Sequence, residues 1–169
     1  PHLESRLLED HHDGLICLSA YSSGRIGRAL LAGSLHEAET ITGYYKDIFG
    51  DNFYLELQRH ATSFDDKLNA ATIALAEKFS VELVATNNVH YLDRKDSGCY
   101  RAMIANRTKE KLSSQNLQAL PGSEHYLKTA GEMARIFPDN GSALANSARI
   151  AEKCTYVFKK KEPILPHYR

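Results

Sequence analysis

Net charge is the first thing this sequence lacks. Its 169 residues hold 21 Lys and Arg against 21 Asp and Glu. A zero balance gives no electrostatic case for nucleic-acid binding by this stretch alone, although a basic channel could lie elsewhere in a longer chain. Cysteine is sparse. Cys17, Cys99 and Cys154 are odd in number and widely spaced, which excludes a disulfide framework and a zinc ribbon. Free thiols in a reducing compartment are the expectation. No apolar run is long enough to span a bilayer. Glu4, Arg6, Glu9 and Asp10 interrupt the opening stretch, so no signal peptide is read there and no membrane partner is expected. A cytoplasmic location follows by default. The phosphate-loop, zincin and nucleophile-elbow motifs are also missing. Ser22-Ser23-Gly24-Arg25 has too little glycine for an anion loop.

What is present is a soluble-globular composition, 43% hydrophobic and 25% charged. Residues 3–12 carry a short helical pattern through Leu3, Leu7 and Leu8, ended by Asp13-Gly14. Leu15 to Leu18 is read as a buried strand. A small, polar loop from Ser19 to Gly27 opens into a short helix. After Gly33, Ser34 is placed to cap a helix to about Phe49, with Leu35, Ala38, Ile41, Tyr45 and Ile48 at helical spacing. Phe53, Leu55 and Leu57 alternate with Tyr54, Glu56 and Gln58 and predict a strand, whose Tyr54–Glu56–Gln58 face would in a barrel be either the interior or the helix side. Ser63 with Asp66 resembles a capping pair for a helix carrying Leu68, Ala71, Leu75 and Phe79. Val81 to Thr86 is a third strand, and Asp93 can cap the next helix. Alternation of strands and helices argues for an α/β fold with parallel strands and crossover helices, open or barrel.

Beyond Thr108 the pattern decays into a polar stretch with a Pro-Gly turn at 121–122. Thr129 can cap a brief helix, and Asn140 or Ser142 a last one with Leu144, Ala148 and Ala151 on one face. The end is basic and then proline-containing, read as a linker.

Sites in parallel α/β folds gather where strands end at their carboxyl side. Here the three strand ends carry Ser19 and Tyr21, then Gln58, Arg59 and His60, then Asn87, Asn88 and His90. A single histidine after a strand is usually a hydrogen-bonded structural group. His60 and His90 at neighbouring ends point to a shared polar pocket. His11-His12 are adjacent on a helix and do not face each other, so they read as a solvated helix end. A structural ion pair is the plain reading of Glu56, and a solvated face that of Lys159-Lys160-Lys161.

Taken as whole blocks, the sequence says more. Gly14-Leu-Ile-Cys-Leu-Ser19 with Arg28-Ala-Leu-Leu-Ala-Gly33, then Tyr45 through His60, then Leu83-Val-Ala-Thr-Asn-Asn-Val-His-Tyr-Leu92 resemble, in order and spacing, the PHP domain of bacterial DNA polymerase III alpha subunits. Glu124-His-Tyr-Leu-Lys-Thr129, Ala143-Leu-Ala-Asn146, Ile150-Ala-Glu-Lys-Cys154 and the closing Leu165-Pro-His-Tyr168 resemble the next segment of the same subunits, up to the approach to the palm. The resemblance implies a partial PHP-type distorted (βα) barrel over 1–107, its C-terminal half, and a helical connector towards the palm over 108–169.

It also implies a part in a DNA-directed DNA polymerase, with DNA and the other holoenzyme subunits as partners of the whole subunit. The polymerase carboxylates belong to the palm, so no catalytic residue is assigned here. Intact family members can carry a divalent metal cluster. His90 matches the histidine of the family's Asp-x-His motif, but Asn88 stands at the aspartate position and Tyr21 at a position often held by cysteine. An amide offers no charge, and a phenol is bulkier and less acidic than a thiol. A degenerate site and no cofactor for this chain are therefore expected, with His90 the one metal candidate and His60 a pocket candidate. The alternative is a free-standing PHP-type metal-dependent phosphoesterase; the connector-like segment argues against it.

Overall fold

The computed structural model describes residues 5–159. Leu3, Glu4, Lys160, Lys161, the two late prolines and the Leu165–Tyr168 block lie outside the described residues. A short helix α1 (Ser5–Asp10) precedes strand β1 (Cys17–Leu18). Helices α2 (Arg25–Leu31) and α3 (Leu35–Phe49) lead to β2 (Phe53–Leu57), and α4 (Asp65–Phe79) leads to β3 (Glu82–Ala85). Helix α5 (Ser97–Thr108) comes next, then α6 (Ala130–Ile136) and α7 (Gly141–Lys153).

The three strands form one open sheet in the order β1-β2-β3, with both pairings parallel, as the alternation predicts. Phe53 and Leu55 of β2 pack into a core with Ile26 and Ala29 of α2, Ala38, Ile41 and Phe49 of α3, and Leu75 and Ala76 of α4. These are the apolar faces that the helical spacing marks out.

The alternation of β2 leaves open what lies on its Tyr54–Glu56 face. All five of its residues are buried. Lys153 of α7 reaches the Tyr54 hydroxyl at 3.0 Å, and Thr86 and Gln58 enclose Glu56, so distant residues cover the second face. The segment after Thr108 also packs onto the sheet. Phe137 and Ala143 share a core cluster with Leu57 and Ala85. Asn146 of α7 donates to the Leu83 carbonyl at 2.7 Å, which meets β3 at the sheet edge.

Two local readings are corrected. Ser63 and Asp66 do not cap α4. No side-chain cap bond is made at that helix start; Asp65, its first residue, takes the nearby donors, and Asp66 pairs with Arg59 at 3.2 Å. Asp93 caps the 3-10 turn Arg94–Asp96, in a reciprocal box with Asp96, and that turn runs on into α5. Thr129 caps α6 as expected, boxed with Glu132.

Candidate functional site

The loop after β1 is wound tightly. Ala20 and Tyr21 both adopt left-handed backbone, at φ of 58° and 43°. A side chain at Gly24 would stand 1.8 Å from the Ser19 carbonyl oxygen, and one at Gly27 would stand 1.9 Å from that of Tyr21. Glycine at these positions lets the chain fold back on itself and start α2. The winding turns Tyr21 inward, where its hydroxyl donates to Asp65 at 3.0 Å. Asp65 also accepts from the His60 amide, the Thr62 amide and the Thr62 hydroxyl. Burial works to raise the Asp65 carboxyl, but the bonds from Thr62, His60 and Tyr21 outweigh it and hold the group below its ordinary range. Burial beside that carboxylate pushes the Tyr21 hydroxyl up.

At the end of β2, Glu56 is buried, and among the described residues no cation pairs with it. Its Oε1 accepts from Thr86 Oγ1 at 2.5 Å and from Gln58 Nε2 at 3.2 Å. Ser19 contributes through its hydroxyl, which accepts from the Glu56 amide. The ion pair expected for Glu56 is replaced by neutral donors, because the carboxylate sits between strand ends lined with hydroxyls and amides. Arg59 turns away towards Asp66 and the Phe137 ring.

His60 and His90 come to the same end of the sheet, as their positions after parallel strands predict. A third histidine joins them. The His125 ring stacks on His60 with centroids 4.1 Å apart and 21° between planes. It meets His90 edge-on at 6.1 Å. Its Nδ1 lies 3.1 Å from the Asn88 carbonyl, so Nδ1 carries the proton in that bond. His60 and His125 are both buried. Burial first, and then the nearby His125, lowers His60 to about 4; burial likewise lowers His125. Both rings are therefore neutral at physiological pH.

Residues 124–132 hold His125 in place. The His90 amide donates to the His125 carbonyl at 2.8 Å, and the Leu127 amide to the Tyr91 carbonyl at 3.0 Å. Tyr91 and Tyr126 form a parallel bridge. The Tyr126 hydroxyl donates to Glu132 at 2.8 Å, and Lys128 lies 4.2 Å over its ring. Hydrogen bonds from the Thr129 amide and the Tyr126 hydroxyl hold the Glu132 carboxyl down to about 2. Lys128 is almost wholly enclosed and pairs with Glu124; burial lowers its ammonium.

A cavity of about 420 Å³ opens at this end, lined among others by Tyr21, Glu56, Gln58, His60, Asn88 and His125. It gathers Tyr21, His60 and Asn88 from the sequence-derived candidates. His90 stands outside its lining, exposed, with Nε2 3.0 Å from Asn88 Oδ1 and its ring 5.2 Å from Tyr100. The donor set does not fit a closed divalent-metal shell. Tyr21 is committed to Asp65, Asn88 to His90 and Glu56 to Thr86. Among the described residues no three His, Cys, Asp or Glu side chains gather into a metal-holding group. Asp65 and His125 escape the sequence reading. Thr62-x-x-Asp65 is as good a capping spacing as the pair chosen, whereas His125 sits in an irregular stretch with no periodic signal.

Among the described residues no helix is long and apolar enough to cross a membrane, and Cys17, Cys99 and Cys154 are free thiols. Residues 1–60 match the family model described as PHP domain. The chain is 36% identical over 170 aligned residues to the DNA polymerase III subunit alpha of Borreliella burgdorferi, covering 100% of this chain and 15% of that protein. It is 35% identical to the subunit of the same name from Treponema pallidum, covering 100% and 14%. The Pseudomonas fluorescens subunit is 32% identical, covering 98% and 14%. The chain thus spans about 15% of the length of the curated relatives it matches. It is homologous over its whole length to a segment of bacterial DNA polymerase III alpha subunits, and its first part carries PHP-domain sequence.

Proposed function

We propose that the chain works as a fragment of a replicative DNA polymerase III alpha subunit, a DNA-directed DNA polymerase. It holds no polymerase active site and serves as a scaffold within the PHP region. The observation that carries this reading is similarity along the entire chain to relatives that bear that name. Residues 1–107 are then the C-terminal half of a PHP domain. The open three-stranded sheet is part of its distorted barrel, and 108–169 run towards the palm. The partners are DNA and the other holoenzyme subunits, met through the full-length subunit in the cytoplasm.

The metal site is read as degenerate. Asn88 and Tyr21 stand at ligand positions, and each is engaged in hydrogen bonds with a neighbour instead. His90 is the remaining candidate ligand, and His60, the pocket candidate, lies across the His125 ring from it. A neutral amide at an aspartate position leaves a cation's charge uncompensated.

Primer extension is the test. The full-length protein should extend a primed template with magnesium and deoxynucleotides. The 169-residue chain should not, because among its described residues no His, Cys, Asp or Glu side chains gather into a group that could hold the metals of two-metal phosphoryl transfer. Extension by the purified chain, free of contaminating polymerase, would overturn the reading.

A further inference from the structure

His125 comes from the segment after Thr108, yet its ring is the one that touches both His60 and His90. It is 3% exposed, and its Nδ1 is tied to the Asn88 carbonyl. Leu120 and Pro121, from the same segment, line the same cavity. The Nε2 atoms of His60 and His125 are enclosed and find no hydrogen-bond partner among the described residues. The stacked rings thus form one wall of the cavity at the strand ends.

We propose that His125 is a built-in occupant of this pocket. The ring lies between His60 and His90 and closes that side of the strand ends, forming a wall of the cavity. The chain supplies its own imidazole there, and the 120–128 segment is locked onto the sheet by that ring and by the backbone bonds on either side of it. The proposal rests on reading the pocket as a degenerate metal site, in which His60 stays stacked on the His125 ring instead of turning to a metal.

The test is hydrogen–deuterium exchange read by mass spectrometry on the protein at its full natural length. His125→Gly removes the ring and leaves the backbone bonds able to form. Amides of 58–62 and 86–92 should exchange faster by about tenfold, because local opening loses the stacking and the enclosed contacts. A cavity of that shape takes a free ring, as apolar cavities take small aromatic molecules. Added imidazole should therefore return exchange towards the unaltered protein. His125→Phe fills the same space without the Asn88 bond and should keep 58–62 protected. No rise in exchange with His125→Gly, a rise that imidazole leaves unchanged, or His125→Phe exchanging as fast as His125→Gly would each overturn the proposal. Zinc added to the unaltered protein separates the two readings. Protection of 58–62 and 86–92 by zinc would sink the degenerate-site reading and the proposal with it, whereas failure of the His125→Gly or imidazole arms alone would sink the proposal and leave that reading standing.

Discussion

Asp65 accepts four hydrogen bonds, from Tyr21, the His60 amide and both donors of Thr62, in a buried position. Bonds to a charged acceptor contribute more than neutral ones, and deleting the acceptor strands buried donors. Asp65→Ala should therefore cost about 3 kcal/mol in urea denaturation, well above a typical surface change. Asp66→Ala, at an exposed ion pair with Arg59, should cost less than about 1 kcal/mol. The pH dependence has the same origin. His60 is lowered from 6.5 to about 4 in the folded chain, so the unfolded chain takes up the proton first. Its contribution is complete above pH 6.5 and is lost as pH falls from 6.5 towards 4. Asp65 is also lowered from its ordinary 3.8, and its contribution is lost at still lower pH, as pH falls through the folded value. Stability should fall by about 2–3 kcal/mol across the first window. His60→Phe should make that limb shallower, the remainder coming from His125, which burial lowers too, and should leave the more acidic limb; a limb unchanged in His60→Phe would show that His60 does not contribute to it.

At the scale of elements, the sheet depends on partners remote in sequence. Asn146 closes the edge of β3 by donating to Leu83. Asn146→Leu leaves that carbonyl unmet and should cost about 1–3 kcal/mol. Amide exchange in 82–85 should rise with it; unchanged stability and unchanged exchange would mean that α7 holds the edge by apolar packing alone. The loop before α2 is equally exacting. Gly27→Ala places a methyl 1.9 Å from the Tyr21 carbonyl and should unwind the turn that aims Tyr21 at Asp65. These elements differ in how well the sequence announces them. The parallel sheet and the shared end of His60 and His90 are legible because strand and helix periods are local, and parallel order follows from their alternation. What covers the second face of β2 is not legible, since the residue that meets Tyr54 is Lys153, far along the chain. The start of α4 is only half legible. Ser63/Asp66 and Thr62/Asp65 offer the same spacing, and the choice is made by Tyr21 and the His60 amide arriving from outside the helix. His125 is invisible for the same reason: a backbone bridge to Tyr91 brings its loop to the site, and no side-chain pattern encodes that.

For the whole molecule the open question is whether divalent metal has any hold on the strand-end pocket. A stable zinc site takes three or four protein ligands, and structural zinc draws on the order of 10 kcal/mol from a complete set. Here His90 is the one candidate ligand that stands exposed, with Asn88 beside it contributing at most a neutral oxygen. His60 is buried against His125, so recruiting it means breaking the stack. Glu56 is the nearby carboxylate of the cavity lining, and Thr86 and Gln58 already occupy one of its oxygens. Each candidate would exchange an existing contact for the metal, which subtracts from whatever the coordination bonds contribute. Titration calorimetry of the 169-residue chain with zinc and with manganese at neutral pH should therefore show weak binding without a defined stoichiometry, little changed by His90→Ala. A stoichiometric site of submicromolar affinity that disappears in His90→Ala would show that these residues rearrange to complete a shell. In that case Asn88→Asp should tighten the site further, because it returns a negative ligand two residues from the histidine.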